Sequence, residues 1–442
     1  AMPAPDPADQ RSVRLSSHTS AQIRRLPLPS PASDEHTAGA ARFDTAERAL
    51  SRRGLTLSRS DDPERGWLLS IPQGDDHWSV EIPRLRSAPE RMPAALVQLL
   101  DGIIGQDELV EIDDDASDRP QTSGKDSSTK AGGTKDSAPT GVDVLQAVLS
   151  QQADALELWD LKTRLDLPDA LHQLRVTARS LRGLLKSARP FLDREAADTL
   201  GDQLQQLGRL LAAARDAEVM AELLPARAEA LQGRIGEKTR QVLVETAQER
   251  AESSAAQIRQ DASRPERLAA LEGARAAALH PPFTDKGGKK AAGLTAEQMS
   301  DRLVQRALRK AAKEAQRALD AAQAGDLEPD QRLEHLHTVR KATKRVRYVT
   351  KVLKASGFRP AKSVRKLGKA AKRAQDALGE TMDASVAATW LEDSSARLRR
   401  AGADPYELGL LTGAELRRVA QGLDEGHDDI ERLTELLERH AG

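Results

Sequence analysis

"LHQLRVTARSLRGLLKSAR" (residues 171–189) carries two patterns at helical spacing, one apolar and one cationic. Leucine and alanine recur every three or four residues, which is typical of a helix face that packs against a core. The cations recur at i, i+3, i+7, i+10, i+14 and i+17, so at about 100° per residue they occupy one adjacent face. The stretch contains no acidic residue. This first basic row consists of His172, Arg175, Arg179, Arg182, Lys186 and Arg189.

The same cationic spacing returns in "HTVRKATKRVRYVTKVLK" (residues 337–354), 165 residues further along the chain. A second pair of segments, "RDAEVMAELL" (215–224) and "MDASVAATWL" (382–391), repeats at an interval of 167 residues. An internal repeat of this length indicates two similar helical bundles in tandem and is too long for the units of a solenoid. The second basic row consists of His337, Arg340, Lys344, Arg347, Lys351 and Lys354.

Together, the two basic rows predict a surface that binds an anion. A single charged helix face is more often just a solvated face, but solvated faces normally mix the two signs. Like charges three or four residues apart on a helix repel each other by roughly 0.2–0.5 kcal/mol per pair. Both rows contain such pairs at the same spacing, which indicates that the charges have a function. Two further basic segments, 301–317 and 362–373, support the prediction. The predicted binding residues outside the rows are Lys341, Lys366, Lys369 and Arg373.

Two histidines and two aspartates accompany the rows. His172 and His337 each open a row just after a chain break, and an imidazole at the positive N-terminus of a helix suits a phosphate oxygen. We predict no metal site, because no second histidine, aspartate or glutamate stands at ligand spacing. Asp216 and Asp383 open equivalent apolar segments of the repeat, so we interpret them as helix caps or arginine partners rather than as catalytic acids.

The overall composition favours a helical protein whose charges are segregated. Of its 442 residues, 67 are Lys or Arg and 68 are Asp or Glu, so strong local charge requires acids and bases to occupy different segments. Aromatic residues make up only 2% of the chain, which disfavours a surface that stacks single-stranded bases. The absence of cysteine excludes disulfides and thiol catalysis. No apolar run of about 18 residues occurs, so we expect a cytoplasmic protein without a membrane span.

The chain divides by composition into four parts. Residues 1–40 are rich in Pro, Ser and Ala and are predicted to be disordered. Residues 41–110 contain short alternating segments that end at turn residues, which predicts β-strands and then the short helix of "AALVQLLDGIIG". Residues 111–140 form an acidic and Gly-, Ser- and Lys-rich linker. The predicted helical domain covers 141–442, with a first bundle at about 141–280 and a second bundle at about 294–442.

An acidic segment leads into the predicted linker. "DELVEIDDDASD" (107–118) holds seven acidic residues. We interpret it as a solubilising part of the linker. The alternative is a tethered competitor that occupies the basic surface in place of a ligand.

The motifs around the two rows resemble a known family. "LHQLRVTARSLRGLL" and "LHTVRKATKRVRY" are similar to the two signature helices of the CHAD domain, the conserved histidine α-helical domain, and "ARDAEV" and "LGETMDASV" are similar to its second motif. The resemblance covers residues from about 142 to 442. It implies a mainly α fold of two pseudo-symmetric four-helix bundles and a basic surface that binds inorganic polyphosphate without catalysis. Tyr348 matches the aromatic position of the second helix, where it could equally pack in the core.

The N-terminal part resembles a fragment of a CYTH domain, a β-tunnel that hydrolyses triphosphates and often precedes a CHAD domain. "RFDTAERALSRRGLTLSRS" and "GWLLSIP" carry this resemblance. The first 140 residues lack the Glu-x-Glu-x-Lys motif, Leu57–Ser60 stands where Leu-Arg-x-Arg is usual, and Ser70 stands where a lysine is expected. About 70 strand-like residues are too few to close the tunnel. We therefore predict a degenerate remnant, preceding the helical domain, without triphosphatase activity.

The sequence thus predicts a non-enzymatic protein that binds inorganic polyphosphate through symmetric basic helix faces and associates with polyphosphate granules. No cofactor or metal is expected. Two alternatives stay open: non-specific, weak binding of nucleic acid or scaffolding by the same basic surface, and a CYTH-type triphosphatase. Long polyphosphate should displace a nucleic acid from the surface in the first case, and metal-dependent release of phosphate would mark the second.

Overall fold

The computed structural model divides the chain into two compact units. Unit 1 comprises Ala1–Gly132 with Glu157–Leu167, and unit 2 comprises Gly133–Leu156 with Pro168–Gly442. Residues 113–137 of the predicted linker, with most of the acidic segment, lie outside the described residues. The structure describes residues 10–15, 19–27, 41–60, 66–73, 76–85, 88, 90–112, 138–231, 233–260, 264–323 and 327–438.

Unit 1 contains an antiparallel β-sheet. Its strands within the described residues are β1 (Gln10–Arg14), β2 (Ser20–Pro27), β3 (Ala41–Asp44), β4 (Thr56–Arg59), β5 (Trp67–Gln73), β6 (Asp76–Ile82) and β7 (Val110–Ile112). The order across the sheet is β1-β2-β6-β5-β4-β3-β7. In β5 the buried side chains of Trp67, Leu69 and Ile71 alternate with more exposed ones, as expected for a strand with one face in the core. Leu69 stands opposite Leu57 on one side and Val80 on the other.

The predicted short helix in the N-terminal part is confirmed as α1 (Ala94–Ile104). Its apolar residues are mostly buried, as the pattern of "AALVQLLDGIIG" indicated. The prediction of disorder for residues 1–40 is wrong for strands β1 and β2. The reason is that β2 pairs with β6 over six residues while showing only the buried side chains of Ala21 and Ile23 as an alternating signal. Backbone pairing with a neighbouring strand leaves little trace in a short segment rich in arginine.

Buried ionic groups in unit 1 are matched with partners. The carboxylate of Asp44 accepts hydrogen bonds from the backbone N–H groups of Thr45, Leu50 and Ser51, which fixes the turn after β3. Arg53 pairs with Glu157 at 2.5 Å, and both side chains are almost fully buried. Buried charges are tolerated where they are paired and hydrogen-bonded in this way.

Unit 2 is helical. Its helices within the described residues are α2 (Gly141–Arg164), α3 (Ala170–Ala188), α4 (Arg194–Leu210), α5 (Ala212–Glu229), α6 (Glu237–Gln260), α7 (Pro265–Leu279), α8 (Asp285–Ala292), α9 (Ala296–Gln323), α10 (Pro329–Ala355), α11 (Lys362–Arg400) and α12 (Pro405–Glu438), of which α2 ends within unit 1. The interval between the two predicted bundles contains α8, because the Thr284 side chain accepts a hydrogen bond from the N–H of Gly287 and starts a short helix there. The protein is thus mainly helical, with a β-sheet before the helical part.

The long helices α11 and α12 pack along each other and contribute to two hydrophobic cores. One core joins them to α5 and α6, through residues such as Met220, Leu243 and Leu391. The other joins them to α9 and α10, through residues such as Leu336 and Leu378. The first of these cores therefore draws residues from both halves of the sequence repeat. Among the described residues, no helix is both long enough and apolar enough to cross a membrane.

Candidate anion-binding surface

Helix α3 carries the first basic row beside its buried face. Leu171, Leu174, Leu181 and Leu185 are buried, as their spacing predicted. The helix begins at Ala170, so His172 lies in its first turn, as expected. The basic side of the helix is partly exposed over its first half, and it becomes exposed at Lys186 and Arg189.

Helix α10 carries the second basic row, but this row does not open the helix. The helix begins at Pro329, where Glu328 and Gln331 form a capping box. His337 therefore lies two turns inside the helix, and the prediction that it stands at a positive helix N-terminus is wrong. The sequence reading overlooked that Pro329 is favoured at the first helical position, so the break ends eight residues before the histidine.

The two rows approach each other where α3 contacts α10. Gly183 allows this approach, because a Cβ atom there would lie only 3.2 Å from Cγ of Arg345. Arg179 and Lys344 occupy equivalent positions of the repeat, and their charges act on each other. Burial, together with the neighbouring charges of Arg340 and Arg179, lowers the pKa of Lys344 to about 8. We call Arg179, Arg340 and Lys344 the central cluster.

Each row holds one arginine against an aspartate. Arg175 lies 3.8 Å from Asp216 and also donates to the carbonyls of Leu211 (3.0 Å) and Ala212 (2.9 Å). Arg340 lies 3.7 Å from Asp383. The interpretation of the two aspartates as arginine partners is thereby confirmed.

Asp383 is the acid that faces the central cluster. Burial raises its pKa, while the charges of Arg340 and Lys344 oppose that shift. Asp383 thus interacts with two of the three cations of the cluster, Arg340 and Lys344, while the third, Arg179, repels both of them. The surroundings of the cluster have an excess of positive charge, which favours an anionic ligand.

Several buried donors on this surface have no hydrogen-bond acceptor. They are Nε of Arg182, Nε of Arg340, Nε of Arg306 and, if protonated, Nδ1 of His172. Buried polar groups are nearly always hydrogen-bonded in folded proteins, and leaving one without a partner costs about 1–3 kcal/mol. A group of such donors along one basic surface is typical of a site where a ligand or water supplies the acceptors.

Both histidines are neutral groups at pH 7. Burial lowers the pKa of His172, and the charge of Arg215 adds to this effect. Burial lowers the pKa of His337 as well, with Lys341 and Arg340 acting in the same direction. A neutral imidazole donates from only one nitrogen, so the histidines would contribute a hydrogen bond rather than a charge.

Other predicted site residues lie away from the central cluster. Arg189 binds both carboxylate oxygens of Asp198, so an acid compensates its charge. Arg347 lies over the ring of Tyr348 at 5.6 Å, and Tyr348 is buried. Arg182 donates to Oε1 of Gln205. Besides Arg189 and Lys354, the predicted residues with exposed side chains are Lys186, Lys341, Lys351, Lys366, Lys369 and Arg373.

The last three of these residues lie on the first turns of α11, beside α10. A Cβ atom placed on Gly368, in the same turns, would lie 3.7 Å from Oγ1 of Thr350 on α10. The basic start of α11 therefore runs along the second half of α10.

Three cations of the surface are not among the binding residues predicted from the sequence. Arg345 lies outside the spacing of the second row, yet its charge acts on Lys186 and on Arg182. Arg306 of α9 is influenced by the charge of Arg189. Arg215, which precedes Asp216 in the repeated motif, acts on His172 and Arg175. Two of them had a signal in the sequence: Arg215 lies within the repeated motif, and Arg306 lies within the basic segment 301–317.

Comparison with known proteins identifies related sequences. The family model described as "CHAD domain" matches residues 147–392, which is more than half of the chain. Two Mycobacterium tuberculosis relatives are "Uncharacterized protein MT2285" (strain CDC 1551 / Oshkosh) and "Uncharacterized protein Rv2226" (strain ATCC 25618 / H37Rv). Each is 32% identical over 276 residues, a match that covers 61% of this chain and 49% of the relative. The chain spans about half the length of the curated relatives it matches.

Two solved structures are similar in fold. "PptA from Streptomyces chartreusis" matches with a TM-score of 0.47 and 20% identity, over 67% of this chain and all (100%) of that chain. The CHAD domain from the plant Ricinus communis matches with a TM-score of 0.45 and 23% identity, over 66% of this chain and 92% of that chain.

Among the described residues, no three His, Cys, Asp or Glu side chains are grouped so that they could hold a metal ion.

Proposed function

Because the chain belongs to the CHAD domain family, we propose that unit 2 binds inorganic polyphosphate on the surface formed by the two basic rows. One observation carries the proposal: the charges of Arg179 and Lys344, equivalent cations of the repeat, repel each other and both act on Arg340, which lies 3.7 Å from Asp383. The two rows would act as halves of one site, and the predicted pseudo-symmetric pair of four-helix bundles would supply one half each.

The free protein has an energetic reason to accept a polyanion. The central cluster holds cations whose burial is costly, and that burial, together with the neighbouring charges, lowers the pKa of Lys344 to about 8. A chain of phosphates brings several negative charges at once and supplies acceptors for the donors of Arg182 and Arg340 that lack them. The binding energy would therefore come from relieving repulsion as well as from new hydrogen bonds.

The chemistry of the surface suits a ligand without bases. Arginine forks bind two phosphate oxygens at once, while lysines such as Lys344 act as point charges. The described surface offers no row of exposed aromatic rings on which bases would stack, since Tyr348 is buried. Polyphosphate needs only charge and oxygen-directed hydrogen bonds, which the rows provide.

The decisive experiment is a binding titration with long-chain polyphosphate across a salt series. We expect affinity to fall steeply with salt, since each phosphate contact releases condensed counterions and contributes roughly 0.7 to the slope of log K against log salt. The variant that reverses both central charges, Arg179→Glu with Lys344→Glu, should lose measurable binding. Unchanged affinity in this double variant would disprove the proposal.

A competition assay separates polyphosphate from nucleic acid. Both anions should bind at low salt, because the phosphate backbone dominates non-specific affinity. At physiological salt, polyphosphate should displace single-stranded RNA or duplex DNA at a much lower phosphate concentration. The reverse order would favour a nucleic-acid-binding function for the same surface.

The proposal assigns binding and no catalysis to the chain. The β-sheet of unit 1 has Ser58 in β4 and Ser70 in β5, at positions where the CYTH pattern has cations. Incubation of the protein with tripolyphosphate and either magnesium or manganese should release no phosphate above background. In the cell, we propose that binding brings the protein to polyphosphate granules, which a fluorescent fusion would report by its overlap with granule staining.

A further inference from the structure

The two basic rows differ where the repeat predicts that they should match. Gly183 of α3 corresponds to Tyr348 of α10, and Ser180 of α3 corresponds to Arg345 of α10. The tyrosine ring is buried and Arg347 lies over it at 5.6 Å, whereas the glycine leaves room for Arg345 to lie against α3. The second half of α3 thus gains a partly buried cation from α10, whereas the cations that α11 brings to the second half of α10 are exposed.

Arg345 extends the basic surface along the second half of α3. Its charge acts on Lys186 and Arg182, and these three cations come from two different helices. The acid whose charge reaches Arg345 is Glu314, and that carboxylate is already bonded to Lys310 and Arg317. Burial lowers the pKa of Arg345, so its charge is held in a costly position without a dedicated acid.

Helix α9 continues this surface beyond Arg345. Arg306 is influenced by the charges of Arg309 and Arg189, and its buried Nε has no acceptor. The Nε of Arg182 is buried without an acceptor as well. The surface from the central cluster to the end of α3 therefore holds two buried donors without an acceptor, Nε of Arg182 and Nε of Arg306. It also holds Arg345, a cation without its own acidic partner.

We propose that Arg182, Lys186, Arg345 and Arg306 form an exit tract, along which an extended polyanion leaves the central cluster on one side only. The inference rests on the proposed function and adds a direction to it. A chain of polyphosphate that fills the central cluster would continue over the second half of α3 and onto α9. From Arg179 to Arg189 the helix rises by about 15 Å, at about 1.5 Å per residue. A short polyphosphate would occupy the central cluster without reaching the end of this tract.

The test compares a short and a long ligand. Tripolyphosphate and long-chain polyphosphate are titrated against the wild type, Arg345→Gln, Arg306→Gln and the double variant. The double variant should weaken long-chain binding about tenfold or more and change tripolyphosphate binding less than threefold. For the long chain, the slope of log K against log salt should be smaller in the double variant by roughly 1.4, because two contacts are lost at about 0.7 each. A loss of packing alone would leave that slope unchanged.

Two further variants complete the design. The matched control Arg399→Gln with Arg400→Gln removes two exposed arginines at the far end of α11 and should change neither affinity by more than twofold. Lys351→Gln removes the cation that corresponds to Lys186 in the second row. It should weaken long-chain binding less than Arg306→Gln does.

The possible outcomes separate the inference from the function on which it rests. Equal losses for Lys351→Gln and Arg306→Gln would overturn a one-sided exit, although polyphosphate binding would stand. Equal losses for the short and long ligands in the tract variants would also overturn it. If the wild type bound neither ligand, the proposed function itself would fail. Should Arg345→Gln fold poorly, Arg306→Gln tests the tract alone, because its side chain lies at the partly exposed edge.

Discussion

The cations of this protein are balanced in two different ways. In unit 1, Arg53 is paired with Glu157 at 2.5 Å, and Arg164 lies 3.1 Å from Asp160. In unit 2, Arg227 is likewise paired with Glu380 at 2.6 Å, but the central cluster sets Arg179 and Lys344 against each other. The same residue types therefore stabilise the fold at the paired sites and hold unbalanced charge at the central cluster. A cation that has its acid is a structural element, while a group of cations that lacks acids indicates a ligand.

Lys162 and Lys344 illustrate this comparison, because the pKa of each is lowered to about 8 and burial is the largest cause in both. Lys162 of unit 1 is shifted by burial, and its ammonium lies 4.4 Å from the ring of Trp159 and donates to the carbonyl of Pro72. Lys344 is shifted by burial together with the charges of Arg340 and Arg179. A lowered pKa is thus not itself a sign of a binding site, and the identity of the neighbours decides.

The largest effect should follow from breaking the ion pair of unit 1. Glu157→Ala leaves Arg53 buried without its carboxylate, and loss of one partner of a buried pair costs about 3–5 kcal/mol. Urea unfolding would measure this through tryptophan fluorescence, because Trp67, Trp78 and Trp159 all belong to unit 1. A Trp390→Phe background removes the remaining tryptophan, which lies in unit 2.

Glu249→Ala is the matched control for that variant. Glu249 pairs with Arg397 at 2.8 Å, but both side chains are more than half exposed. An exposed pair contributes about 0–1 kcal/mol, so this variant should unfold almost as the wild type does. Equal destabilisation by the two substitutions would contradict the distinction between buried and exposed pairs.

The pH dependence of binding should show the second-largest effect. Lys344 is charged below pH 8 and loses its proton above it, and a bound polyanion would keep the proton in place. Affinity for polyphosphate should therefore fall about tenfold between pH 7 and pH 9, as expected for one proton taken up at a group with a pKa near 8. Isothermal titration in two buffers of different ionisation enthalpy would detect the proton directly.

Arginine substitutions test which lysine is responsible. Lys344→Arg keeps its charge at pH 9, so it should flatten the pH profile, whereas Lys162→Arg should leave the profile as in the wild type. A fall of the same size in Lys344→Arg would assign the dependence to another group. The folded protein has the opposite trend in stability: both lysines bind fewer protons than in the unfolded chain between about pH 8 and 10.5, so stability should rise with pH there.

The contrast between paired and unpaired cations also explains how much of the structure could be predicted from the sequence. The helical domain and the two rows could be predicted because apolar and cationic spacing records which face of a helix is buried, as at Leu174 and Arg175. That Asp216 caps a helix or pairs with an arginine could be inferred from its place in the repeat, but the structure was needed to identify Arg175 as its partner. Arg345 could not, because its position depends on the tertiary contact with Gly183, and no local pattern encodes a contact between distant helices. The sheet strand β2 was missed for the same reason.

Removing the acid from the central cluster should strengthen binding without a loss of stability. Burial raises the pKa of the Asp383 carboxyl group, so the folded protein disfavours its charged form, and Asp383→Asn should leave the free energy of unfolding unchanged or slightly raised. The same change removes a competitor for the anion, and affinity should rise roughly threefold, which is about 0.7 kcal/mol. In unit 1, by contrast, loss of an acid brings only destabilisation.

Asp216→Asn is the control for that prediction in the first row. Its arginine, Arg175, stays engaged with the carbonyls of Leu211 and Ala212, so the affinity for polyphosphate should rise less than in Asp383→Asn. Both parameters are read from a thermal melt and a titration of the same preparation. Weaker binding by Asp383→Asn would mean that the carboxylate positions Arg340 for the ligand and does not compete with it.

The smallest effect should come from the exposed cations at the start of α11. Lys366, Lys369 and Arg373 are exposed, so water and salt already screen their charges over about 8 Å at physiological ionic strength. Replacing all three by Gln should weaken polyphosphate binding only about twofold to threefold at that ionic strength, and the difference should vanish at high salt. The triple variant Arg397→Gln, Arg399→Gln and Arg400→Gln, at the other end of the same helix, provides the matched loss of charge.

A larger loss in the first triple variant would change the comparison between paired and unpaired cations. It would mean that exposed cations bind the ligand directly, so that burial and the absence of an acid would no longer separate a binding cation from a solvated one. A difference that persists at high salt would point the same way, because direct contacts survive screening better than charges that act at a distance. The salt series therefore decides whether the central cluster or the whole basic surface provides the affinity.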